Sequence, residues 1–63
     1  MPILQIEMLK GRTLDQKRDM VSKVTDVISE TLQCSREAVI IIIREMEPEN
    51  LSKAGVLKTD SNQ

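Results

Sequence analysis

The sequence predicts an α/β (α+β) fold: a single βαβ unit with parallel strands and a short C-terminal hairpin, assembled into an oligomer. Three observations predict it. Leu4, Ile6 and Met8 alternate with Gln5 and Glu7, the period of a strand with one apolar face. Leu14, Val21, Val24, Ile28 and Leu32 recur at helical intervals, the stripe of an amphipathic helix. Residues 39–43 are an unbroken β-branched run, which suits a strand covered on both faces.

The elements follow in order. The first strand begins at Pro2, a residue tolerated at a strand's first position. Residues 10–12 end it, with Gly11 free to take a positive φ in the turn. Thr13 and Gln16 have the spacing of a capping box, in which hydroxyl and amide each satisfy a backbone N–H. The helix then runs for about five turns. Met20 and Val27 widen its apolar stripe, and Asp19 and Lys23 form an i,i+4 pair worth roughly 0.3 kcal/mol. Residues 33–37 are polar and end the helix without a glycine. The Ile-rich strand follows, and strand–helix–strand order makes the strands parallel with a right-handed crossover. Beyond Glu47 the chain turns polar, with Pro48, Asn50, Ser52 and Gly55. This reads as a short hairpin or arm and then a frayed end over residues 59–63.

One helix covers one face of a two-stranded sheet. The Ile side chains on the other face need a partner, and a second copy of the chain is the simplest one. Size points the same way. In a 63-residue chain, a hydrophobic core returns about what ordering the chain costs, so a staple or an assembly is needed. A single Cys excludes an internal disulfide framework, and the absence of His removes zinc's commonest nitrogen ligand. A His-bearing metal site is therefore excluded as a staple. Nine basic residues balance ten acidic ones, and no aromatic residue is present. The chain therefore has neither the basic surface nor the stacking platform of a nucleic-acid binder. No stretch is long enough to span a membrane and no leader is evident, so a cytoplasmic single domain over 1–63 is expected.

Few groups here can do chemistry. If the initiator Met1 is removed, Pro2 carries a secondary amine. Ordinary α-amino groups titrate near ~8, and burial or nearby cations lower them, toward the range of a general base at neutral pH. The plainer reading is that Met1 and Pro2 merely begin a strand. Cys34 sits at the helix end, where the dipole disfavours a thiolate, and reads as a small packed residue. Glu7 and Glu45 read as solvated or paired carboxylates.

Pro2-Ile3-Leu4-Gln5-Ile6, Leu9-Lys10-Gly11-Arg12-Thr13 and Asp15-Gln16-Lys17 resemble the start of the 4-oxalocrotonate (2-hydroxymuconate) tautomerase family. Val39 through Met46 is similar to that family's second strand, and Ala54-Gly55-Val56 to its Gly-containing hairpin. The resemblance covers nearly the whole chain. It implies a tautomerase-like fold assembled as a hexamer. It also implies a cofactor-independent isomerase that moves protons on small 2-keto or 2-hydroxy unsaturated acids. By position, Pro2 is the general base and Arg12 the arginine that binds a substrate carboxylate. Pro2 and Arg12 bracket one strand, roughly 25 Å apart, so Arg12 can serve only a neighbour's Pro2.

Two positions depart from the family. Ile40 stands where it has a second substrate-binding arginine, and Leu51 where it has an aromatic pocket residue. Leu51 still excludes water, but Ile40 brings no charge, and losing such a group commonly costs ~10²–10³ in rate. Weakened activity is the consequence unless another cation serves. Arg36 precedes the strand and Arg44 lies about 13 Å beyond Ile40. Both default to surface cations. Two alternatives stay open: a catalytically impaired subunit of a mixed oligomer, and a relative using protonated Pro2 for hydration or dehalogenation.

Overall fold

The computed structural model describes residues 1–61. The chain forms β1 (Ile3–Leu9), α1 (Leu14–Leu32), β2 (Ile40–Met46), β3 (Ser52–Lys53) and β4 (Val56–Leu57). Short 3-10 turns lie at Arg36–Ala38, Pro48–Asn50 and Lys58–Asp60. β1 and β2 pair in parallel, Ile3 beside Ile40 through Leu9 beside Met46. β3 and β4 form a separate antiparallel hairpin. The βαβ unit with its C-terminal hairpin is as the sequence predicts.

Local chemistry sets each boundary. Gly11 has φ +125°, so the turn after β1 uses the freedom only glycine has. Thr13 Oγ1 accepts from the Gln16 N–H at 3.1 Å, and Gln16 Oε1 accepts from the Thr13 N–H at 2.9 Å, completing the capping box. At the other end Gln33 takes the left-handed conformation at φ 55°, and its N–H and that of Cys34 both return to the Ser29 carbonyl. A residue other than glycine thus closes the helix.

β2 starts and ends later than the apolar run. The Val39 N–H is held by the Arg36 carbonyl, so the strand opens at Ile40. It runs on through Arg44, Glu45 and Met46 because Glu7, Met8 and Leu9 offer them a parallel ladder. Ladder partners share a face. Leu4, Ile6, Met8, Ile41 and Ile43 turn toward the helix and are half-buried. Ile3, Ile40 and Ile42 lie on the opposite face and stay 52%, 38% and 37% exposed. The run alternates in exposure because the lone chain offers cover on one side only.

No described residue is buried. The chain is a slab of 43 × 24 × 15 Å, one helix on one sheet. A helix is about 10 Å wide and two strands lie roughly 4.8 Å apart, so the sheet cannot cover the helical stripe. Met20, Val21, Val24 and Ile28 are half-buried, while Leu14, Val27 and Leu32 are exposed. The expected frayed end is corrected in part: Thr59 and Asp60 belong to the Lys58–Asp60 turn, closed by the Ser61 N–H donating to the Lys58 carbonyl at 3.1 Å, while residues 62 and 63 lie outside the described residues.

Candidate functional site

A parallel sheet puts both strand starts at one end, and Pro2 and Ile40 meet there. The Ile40 N–H donates to the Pro2 carbonyl at 3.0 Å. Pro2 is half-buried, and Met1 before it is 83% exposed. Arg12 and Leu51 belong to the other end. Arg12 follows the turn after β1 and lines a small open cleft of about 160 Å³ with Met8, Gln16, Lys17 and Met20. Leu51 follows β2 and lines a groove of about 710 Å³ with Leu9, Lys53 and Val56. The seven residues of β1 separate the two pairs, so one chain does not bring all four together.

The ion pairs decide which cations are available. Arg18 is held by Asp15 at 2.8 Å and Arg44 by Glu7 at 2.9 Å, with a further hydrogen bond from Arg44 to Gln5. Arg36 is held by Asp26. Arg36 and Arg44, the two arginines near Ile40 in sequence, are thus both engaged within the chain. Arg12 alone among the arginines has no ion-pair or hydrogen-bond partner among the described residues.

Glu45 is paired as well. It turns toward the helix and meets Lys17 at 2.6 Å, in the least exposed ion pair of the described residues, at 31% and 24%. That pair ties the first turns of α1 to the end of β2, beneath the Arg12 cleft. Asp19 and Lys23 form the expected i,i+4 pair at 2.9 Å, and Cys34 is half-buried. Sequence reasoning did not assign Gln16, Lys17, Met8 and Met20 to Arg12. The signal was available: Arg12 directly precedes the N-cap, so residues four, five and eight further on lie along the helix beside it. Among the described residues, no group of three His, Cys, Asp or Glu could hold a metal, and no helix is long and apolar enough to cross a membrane.

The fold and these placements define a minimal βαβ protein with a proline heading its first strand and an unpaired arginine past that strand's end. Comparison with known proteins gives the family. The profile described as "Tautomerase enzyme" matches residues 2–61. A probable tautomerase of Staphylococcus aureus is 40% identical over 60 residues, 95% of this chain and 98% of that protein. The crystal structure of YwhB, a homologue of 4-oxalocrotonate tautomerase, superposes with a TM-score of 0.91 at 38% identity, covering 97% of this chain and 100% of the other. A heterohexamer 4-oxalocrotonate tautomerase from Chloroflexus aurantiacus matches with a TM-score of 0.89 at 25% identity, over 95% and 97% of the two chains. The chain belongs to the tautomerase family.

Proposed function

We propose that the protein is a cofactor-independent tautomerase acting on small 2-keto or 2-hydroxy unsaturated carboxylic acids, with Pro2 as general base once Met1 is removed. The free Arg12 carries this reading. A guanidinium without an internal carboxylate keeps its bidentate donors for a carboxylate from outside. The small side chain of Pro2 next to Met1 favours removal of the initiator residue.

The reaction needs only these parts. The Pro2 nitrogen takes a proton from the carbon next to the carbonyl of a 2-keto acid, or from the hydroxyl of a 2-hydroxy acid, leaving an enolate or dienolate. Delivery of that proton to another carbon, or to the oxygen, completes the transfer. Arg12 holds the carboxylate, and Leu51 and Ile40 line the site and exclude water. Arg12 comes from a neighbouring subunit, because β1 stands between it and its own Pro2. Two copies with antiparallel β1 strands would meet this need. The unburied core and the exposed Ile3, Ile40 and Ile42 support a homo-oligomer, a hexamer by family likeness.

Mass spectrometry of the native protein, with tautomerisation assays of wild type and Pro2→Ala, tests the reading. Loss of Met1 and a large fall in the Pro2→Ala rate are expected. A retained Met1 leaves Pro2 an amide and overturns it. A second reading has one observation in its favour: Ile40, an alkyl group, stands beside Pro2. On that reading the chain is an impaired partner subunit in a mixed oligomer, as the heterohexameric relative suggests. Activity gained only on mixing with an arginine-bearing paralogue would support it.

A further inference from the structure

We propose that Lys53 supplies the second cation of this site, in place of the arginine that Ile40 lacks, and holds a second carboxylate of the substrate. The proposal rests on the tautomerase reading above and deepens it. Three observations carry it.

The first is position. Leu51 and Lys53 line the same groove, with Leu9 and Val56. They are two residues apart, so an extended chain sends both side chains to one side. Wherever the assembly carries Leu51, Lys53 goes with it. If Leu51 covers a neighbour's Pro2, a lysine ammonium stands at the edge of that pocket.

The second is charge. Lys53 has no ion-pair or hydrogen-bonding side-chain partner among the described residues, a condition it shares with Arg12. Lys10, Lys17 and Lys23 are held by Glu47, Glu45 and Asp19. Lys58 also lines the groove and is engaged within the chain. Arg36 and Arg44 are tied to Asp26 and Glu7, so recruiting either requires breaking an existing pair.

The third is the hairpin's backbone. Ala54 and Gly55 both have positive φ, 54° and 80°. That is the two-residue turn whose twist suits a hairpin, and it pairs Lys53 with Val56. The Lys58 N–H clamps the Leu51 carbonyl at 2.8 Å. Lys53 is thus presented from a fixed backbone, although its side chain is exposed.

An ammonium is a compact point charge without the guanidinium's fork. It suits a carboxylate at the far end of a substrate whose first carboxylate Arg12 holds. With Lys53 in this role, the chain would keep the dicarboxylic substrates of its family in spite of Ile40.

The test compares 2-hydroxymuconate, a dicarboxylate, with phenylenolpyruvate, a monocarboxylate, in the assembled wild type, Lys53→Met, Lys53→Arg and Pro2→Ala. Lys53→Met should lower kcat/KM for the dicarboxylate by about ten- to a hundredfold, the usual effect of losing one hydrogen bond to a charged group. The monocarboxylate should change less than about threefold, and Lys53→Arg should retain most dicarboxylate activity. Adding Ile40→Arg to Lys53→Met should restore discrimination for the dicarboxylate. Equal effects of Lys53→Met on both substrates, or none on either, would overturn the role of Lys53 while Pro2→Ala remained inactive. Activity untouched by Pro2→Ala would overturn the tautomerase reading itself. Circular dichroism and sedimentation of each variant confirm that fold and assembly are intact.

Discussion

The substitution Ile42→Asp should dissociate the protein and abolish its activity together. Ile42 sits on the sheet face opposite the helix, with Ile3 and Ile40. Full burial of one such side chain is worth roughly 2 kcal/mol. The exposed fractions of the three, 52%, 38% and 37%, leave about 2.5 kcal/mol per protomer to be gained from a partner. Two such faces closing on each other gain about 5 kcal/mol, or between ~10³ and ~10⁴ in association constant. Aspartate at 42 removes Ile42's share and places a carboxylate in the contact, at a cost of several kcal/mol when unpaired. It is too short to carry its charge to the rim, and Arg44, the cation of that face, is held by Glu7 and Gln5. Most of the association energy of this face therefore disappears. Sedimentation velocity should show the wild type as an oligomer and Ile42→Asp as a monomer. On the proposed mechanism Arg12 serves a neighbour's Pro2, so tautomerase activity per subunit should fall with it. Ile42→Val removes one partly exposed methylene and should keep both properties. An Ile42→Asp variant with wild-type mass and activity would refute the reasoning, as would a fully active wild-type monomer.

Three further outcomes follow from individual contacts. Thr13→Ala removes the capping hydroxyl of α1, which should cost about 1 kcal/mol and lower Tm by roughly 4–8 °C in a calorimetric scan at fixed protein concentration. Ala54→Asn relieves a non-glycine residue at φ 54°; asparagine tolerates that conformation better, so Tm should rise, by about 0.5–1 kcal/mol of stability in denaturant titrations. Glu45→Gln breaks the half-covered pair with Lys17, whereas Lys23→Gln breaks an exposed one. The first should cost about 1–2 kcal/mol and the second under about 0.5 kcal/mol, with the gap narrowing in high salt.

Much of the fold is legible because it is encoded locally. Thr13 and Gln16 mark the helix start by spacing alone, and the period of two in residues 4–8 selects the strand face. The end of β2 is different. Arg44 and Glu45 look like a strand's exit, yet the ladder with Glu7 and Met8 keeps them extended. That pairing joins residues 37 apart in sequence and leaves no local trace. The hairpin turn is intermediate. Gly55 announces a turn, but Ala54 beside it is a poor left-handed residue, so its backbone had to be seen.

The site divides along the same line. Pro2 and Arg12 could be judged too distant for one chain from strand length alone. Whether a cation is free could not be judged that way. Asp26 captures Arg36 only because the helix register and the 3-10 turn bring them together, and Glu7 captures Arg44 through the strand register. Sequence proximity to Ile40 made these two the candidate substitutes, with a surface cation as the default reading of each, and the fold engages both. Among the described residues, the side-chain cations without an ion pair instead lie at the far end of the sheet, on the turn after β1 and on the hairpin. A chain with nine basic and ten acidic residues could neutralise nearly all of its cations internally. Leaving Arg12 and Lys53 unpaired forgoes about 0.2–1 kcal/mol of ion pairing at each, a small loss in folding stability. An anionic ligand bound across both can return more than that, because it meets donors that need not first release a carboxylate.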